Sequence, residues 1–103
     1  GNILGIRFGV LIFVIVLADD QGWGDLSVHG NTNLSTPNID SLARNGTRCT
    51  AGYVSASYCS ASRAGLMTGR LPIRSGMCSD NRRVLFPDSK GGLPQSEITI
   101  AKA

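Results

Sequence analysis

Residues 3–18 are almost wholly apolar, broken only by Gly5, Arg7 and Gly9, and Asp19 and Asp20 follow at once. The stretch from Phe8 to Ala18 is too short to cross a bilayer, which takes about 20 apolar residues as a helix. As a leader it has a suitable apolar length and one upstream arginine, but no convincing small-x-small cleavage site. A buried strand from about Leu11 to Leu17 fits better. The run is rich in Val and Ile and apolar on both faces, as the central strands of parallel sheets are. Such a strand would also deliver Asp19 and Asp20 just past its carboxyl end, where ligand-binding groups collect in open parallel sheets. Residues 1–9 fit no reading.

Two adjacent carboxylates repel each other and lose hydration unless a cation compensates. Oxygen donors with no cysteine or histidine beside them point to calcium or magnesium and away from zinc. An exposed acidic turn before Gly22-Trp23-Gly24 is the competing reading, and the residues alone leave both open.

Residues 22–35 are rich in Gly, Asn and Ser and read as loop. Thr36 then caps a helix with Pro37 in its first position, Ile39, Leu42 and Ala43 form an apolar stripe, and Asn45-Gly46 ends it. This helix is expected to pack on the outer face of the sheet. Thr47 to Val54 reads as a short strand, and the loop 55–58 leads to Cys59. Small polar residues around Cys59 suit a turn entering a helix, Leu66 and Met67 suit its buried side, and Gly69 suits a left-handed end. Cys59 then sits in or beside the first turn, where free N–H groups and the helix dipole favour negative charge. Arg63, one turn on, shares its face; a reactive cysteine at an anion-handling site and a structural cysteine before an ordinary surface helix both fit these residues. Strand, helix, strand and a site at the next helix N-terminus make an α/β pattern. Beyond it, residues 76–92 are irregular apart from a short strand at Val84-Leu85-Phe86. Residues 97–103 read as the start of another helix capped by Thr99, so the chain reads as the N-terminal part of a longer domain.

The formal charge of +3 is too mild to argue for a nucleic-acid partner. Residues 70–90 carry five Arg or Lys against two Asp, which suits a solvated basic surface or one that welcomes an anion. Three cysteines cannot all pair within one chain. If Cys59 is reserved for chemistry, Cys49 and Cys78 remain as a pair or as partners for cysteines elsewhere. The gaps of ten and nineteen residues, with His29 isolated, give no zinc pattern. Asn33-Leu34-Ser35 and Asn45-Gly46-Thr47 are N-glycosylation acceptor tripeptides in or beside turns.

Cys59-Ser60-Ala61-Ser62-Arg63 followed by Leu66-Met67-Thr68-Gly69-Arg70 resembles the signature of the type I, formylglycine-dependent sulfatases, within them the arylsulfatase A-like members. The resemblance has company in the right order. Leu17-Ala18-Asp19-Asp20-Gln21-Gly22-Trp23-Gly24-Asp25-Leu26 is similar to that family's first metal-binding segment. Thr36-Pro37-Asn38-Ile39-Asp40, Leu71-Pro72-Ile73-Arg74-Ser75-Gly76 and Gly91-Gly92-Leu93-Pro94 also match its patterns. The similarity runs from about Val14 to Ala103. One departure is Ala61, where most members carry proline.

The resemblance implies the N-terminal part of an alkaline-phosphatase-like fold, a mostly parallel sheet flanked by helices. It implies an arylsulfatase in which Cys59 is oxidised to formylglycine by a formylglycine-generating enzyme and hydrated to a diol whose one hydroxyl attacks sulfur. Asp19, Asp20 and the converted Cys59 would hold a divalent cation, calcium before magnesium, while Arg63 neutralises the diol and the sulfate. Arg70 takes a structural role and His29 none in catalysis. An Asp-Asn ligand pair and a Lys/His set would lie beyond residue 103, so residues 1–103 alone are expected to be inactive. The implied destination is the secretory pathway, lysosomal or extracellular. Two alternatives stand beside this: a phosphate or phosphonate ester hydrolase of the same superfamily, and a non-catalytic binding protein with unconverted Cys59, for which Ala61 leaves room.

Overall fold

The computed structural model describes residues 12–82 and 84–103. Two α-helices are set among loops and short 3-10 turns: α1, Pro37–Asn45, and α2, Cys59–Thr68. Both begin and end where local chemistry dictates. Thr36 is the N-cap residue of α1 and Pro37 its first residue, where a missing N–H costs nothing. Gly46 N–H closes α1 onto Leu42 C=O at 2.9 Å. α2 ends at Gly69, left-handed at φ +65°, whose N–H bonds Gly65 C=O at 2.8 Å.

Thr36 differs from the expected cap in one respect. Its hydroxyl bonds no helical N–H; it donates to Asp40 Oδ1 at 2.9 Å and accepts Ser27 N–H at 3.0 Å. Ser27 Oγ donates to Asp40 Oδ2 at 2.6 Å, and Val28 N–H to Asp40 Oδ1 at 3.1 Å. Buried Asp40 therefore gathers the 3-10 turn at Ser27–His29 onto the first turns of α1. These hydrogen bonds, that of Ser27 foremost, hold the Asp40 carboxyl below its ordinary pKa.

The expected strands do not form among the described residues. Residues 12–17 have no strand partner, and from Ile12 to Leu17 the side chains are 52–89% exposed. A strand exists only by pairing, and a central one is also covered on both faces; neither partner nor cover lies among these residues. The remainder of that apolar run, residues 8–11, and the leader reading with it, lie outside the described residues. Thr47–Val54 and 84–86 are likewise irregular, and residues 97–103 make only a turn, in which Thr99 C=O accepts Lys102 N–H at 2.8 Å and Ala103 N–H at 3.1 Å. The face of α1 expected to pack on a sheet stays open, with Ile39 and Leu42 exposed.

What core there is lies under α2. Ala61, Ala64 and Gly65 on its inner side are buried, together with Pro72, Ser75 and Met77 of the following 3-10 turn and its exit. The Cα radius of gyration is 18.7 Å, against about 13 Å for a compact domain of this length. These residues do not close around a core of their own. Among them no helix is long and apolar enough to cross a membrane.

Candidate active site

Cys59 is the first residue of α2 and is exposed. Tyr58 before it is extended (φ −111°, ψ 145°), and its C=O accepts Ser62 N–H at 2.8 Å, the first bond of the helix. The loop before Cys59 lies against α2 because Gly65 leaves room for it: a Cβ there would run into the Ser55 side chain and come within 3.3 Å of Arg70 C=O. The N–H groups of residues 59–61 have no partner within the helix and present partial positive charge at this end.

Asp19 and Asp20 meet Cys59 across a cleft of about 240 Å³ that Leu17, Tyr58 and Arg63 also line. Arg63 reaches from the second turn of α2 and donates through Nη2 to Asp19 Oδ1 at 2.8 Å, both side chains being largely in solvent. Asp20 is left-handed at φ +54°, the one described non-glycine residue with positive φ. Aspartate tolerates that region better than most residues, and the kink turns the chain at the point where it meets the cleft. All four residues singled out in the sequence, Asp19, Asp20, Cys59 and Arg63, therefore share one opening.

Two carboxylates in a solvent-accessible cleft suit a hard divalent cation in donor type. Among the described residues no three His, Cys, Asp or Glu side chains converge on one point. The cysteines do not pair. Cys49, Cys59 and Cys78 are all exposed free thiols, so the Cys49–Cys78 disulfide is absent.

Several contacts around the site join residues that sequence spacing did not connect. Ser60 Oγ accepts Leu85 N–H at 2.8 Å, fastening 84–86 beside the start of α2. Arg70 Nη1 donates to both carboxylate oxygens of Glu97, at 2.6 and 2.7 Å. His29, given no catalytic part, stacks on Trp23 with ring centroids 3.7 Å apart and donates through Nδ1 to Trp23 C=O at 2.9 Å, which is a packing role. The Ser27–Thr36–Asp40 cluster had a trace in the sequence, since Thr36 and Asp40 stand one helical turn apart.

Comparisons with known proteins point to one family. The family model described as Sulfatase matches residues 12–103. Human arylsulfatase A is 51% identical over 89 residues, which cover 86% of this chain and 17% of that protein. Canine arylsulfatase H is 51% identical over 92 residues, covering 86% and 16%, and rat steryl-sulfatase 49% over 92 residues, covering 87% and 16%. The chain thus spans less than a fifth of the length of these relatives.

Proposed function

The chain belongs to the sulfatase family, and from that premise we propose that it carries the nucleophile end of a site that hydrolyses sulfate esters. The family's fold is generally alkaline-phosphatase-like; for this chain the parallel sheet, with residues 11–17 as a strand of it, belongs to the proposal, as does its place at the N-terminal end of the catalytic domain. The observation that carries the functional reading is the Arg63–Asp19 contact at 2.8 Å, which joins the two signature segments beside Cys59.

In this reading each residue has a task set by its chemistry. A formylglycine at position 59 would supply the attacking oxygen, and a divalent cation, calcium before magnesium, would supply positive charge to the reacting sulfate. Asp19 and Asp20 would hold that cation, together with position 59 and ligands from other parts of the protein. Arg63 exchanges its bond to Asp19 for bonds to the anionic ester, since a guanidinium presents several donors at once. The unpaired N–H groups at the start of α2 favour negative charge developing near residue 59. Arg70 touches none of these groups; its contact lies at the other end of α2.

The names of the relatives extend the reading to aryl and steryl sulfates as substrates. Maturation by a formylglycine-generating enzyme, passage through the secretory pathway to lysosome or cell exterior, and glycans at Asn33 or Asn45 follow as further parts of the proposal. The test is substrate profiling of the full-length protein on the sulfate, phosphate and phosphonate esters of one phenol. Preferential release of sulfate is expected. Preferential release of phosphate or phosphonate would replace this reading with the superfamily alternative, and no turnover of any ester by protein carrying the aldehyde would reject hydrolysis.

A further inference from the structure

The two ends of α2 are held by different kinds of contact. At the site end, Arg63–Asp19 lies in solvent and Ser60 makes one neutral hydrogen bond to Leu85 N–H. At the far end, Arg70 Nη1 bridges both oxygens of Glu97; the Glu97 side chain is only 9% exposed and that of Arg70 49%. Beside it, Ile100 N–H donates to Met67 C=O at 2.8 Å, satisfying a last-turn carbonyl that the helix cannot bond itself.

We infer that the Arg70–Glu97 pair is a positioning device for the site: it sets where α2 lies along its axis, and so where Cys59 and Arg63 stand against Asp19 and Asp20. The inference rests on the sulfate-ester reading of the Cys59 cleft. α2 has ten residues and is therefore a rod about 15 Å long. A shift at its C-terminal end passes to its first residue almost undiminished. The anchor cannot be Arg63, because an exposed ion pair holds weakly in water and Arg63 has to release Asp19 to meet an anion. Arg70 is as exposed as Arg63, but its partner differs: Glu97 is only 9% exposed and takes the guanidinium on both oxygens, a charge-assisted contact that exposed Asp19 does not offer. Arg70 sits directly after Gly69, the C-cap residue, so its tether acts where the helix stops.

The experiment uses the full-length protein and the variants Glu97→Gln, Glu97→Asp and Arg70→Lys, with 4-nitrophenyl sulfate as substrate. Aldehyde content at position 59, kcat per aldehyde, KM, Tm and the rate of labelling of residue 59 by a hydroxylamine probe are measured for each. Loss of placement lowers kcat per aldehyde in Glu97→Gln by about 10- to 100-fold, with KM changed less than about threefold. Glu97→Asp, which keeps the charge, recovers part of the loss. The labelling rate of residue 59 changes in the same order. A fall in Tm with kcat per aldehyde and labelling rate unchanged would overturn the inference and leave the pair a stabilising contact only. If wild-type protein carries the aldehyde and releases no sulfate, the sulfate-ester reading falls separately. The labelling rates then decide positioning alone: altered rates support it, and unaltered rates overturn it.

Discussion

Arg63 Nη2 lies 2.8 Å from Asp19 Oδ1 although 44 residues separate the two in the chain. Both side chains are largely in solvent, and ion pairs of that kind contribute about 0–1 kcal/mol. Stability is a poor reason for the contact. Its consequence is placement: a cation and a carboxylate meet at the mouth of the cleft that Cys59 lines, and a weak pair can be exchanged for a substrate anion.

Arg63→Ala in the full-length protein should lower kcat/KM for an aryl sulfate by about 100- to 1,000-fold, the usual cost of losing one donor aimed at developing charge. Tm should hardly move, because the pair is exposed. Arg63→Lys keeps the charge but not the planar fork and should fall between. Steady-state kinetics on aldehyde-bearing protein measures this, and unchanged kcat/KM in Arg63→Ala would remove Arg63 from the site.

Asp19→Ala and Asp20→Ala should lower bound divalent metal and activity together, read by elemental analysis of the purified protein. Asp20 needs a further control because its backbone is left-handed. Alanine there adds strain of about 1–2 kcal/mol, whereas asparagine accepts the conformation. Asp20→Asn should thus lose metal while keeping more stability than Asp20→Ala. Normal metal content in the Asp19 and Asp20 variants rejects the ligand assignment.

Acid should weaken the junction between the Ser27–His29 turn and α1. The Asp40 carboxyl titrates below its ordinary value of 3.8, chiefly because Ser27 hydrogen-bonds it. On acidification the unfolded chain takes up this proton before the folded one. The stabilisation is therefore complete above the ordinary carboxylate pKa and is lost as pH falls through the lower folded-state value. Urea midpoints measured from pH 7 down to pH 2 should drop more steeply for wild type than for Asp40→Asn below about pH 4. Equal slopes would show that Asp40 does not couple this junction to pH.

The helices were legible because their signals are local. Thr36-Pro37 marks the start of α1 and Gly69 the end of α2 within one or two residues of where each occurs. Cys59 and Arg63 could be placed on one face by counting along a helix, which needs no knowledge of the rest of the fold. The strands could not be judged in the same way. The apolar run at 11–17 and the mixed run at 47–54 state what those segments need, but pairing partners decide whether a strand exists, and these do not lie among the described residues. Arg70–Glu97 and Ser60–Leu85 were invisible for a related reason: their partners stand 27 and 25 residues apart and meet only once the chain has turned.

Ala61 is the third residue of α2 and is fully buried, at 1% exposure. The first intrahelical N–H donor is that of Ser62, so proline at 61 would remove no helical hydrogen bond, and the first turn accepts its fixed φ. Ala61→Pro should consequently fold and should raise the fraction of position 59 converted to aldehyde, since it restores the pattern most family members carry. Peptide mass spectrometry compares the two proteins. Equal conversion would show that residue 61 does not limit maturation here.

The most direct test is the chemical state of residue 59 in full-length protein made by a host that converts such cysteines. Tryptic mass spectrometry, with a hydrazine-type probe to capture carbonyls, should find an aldehyde on the peptide that contains residues 59–63. An intact thiol at Cys59 in that material would contradict the account.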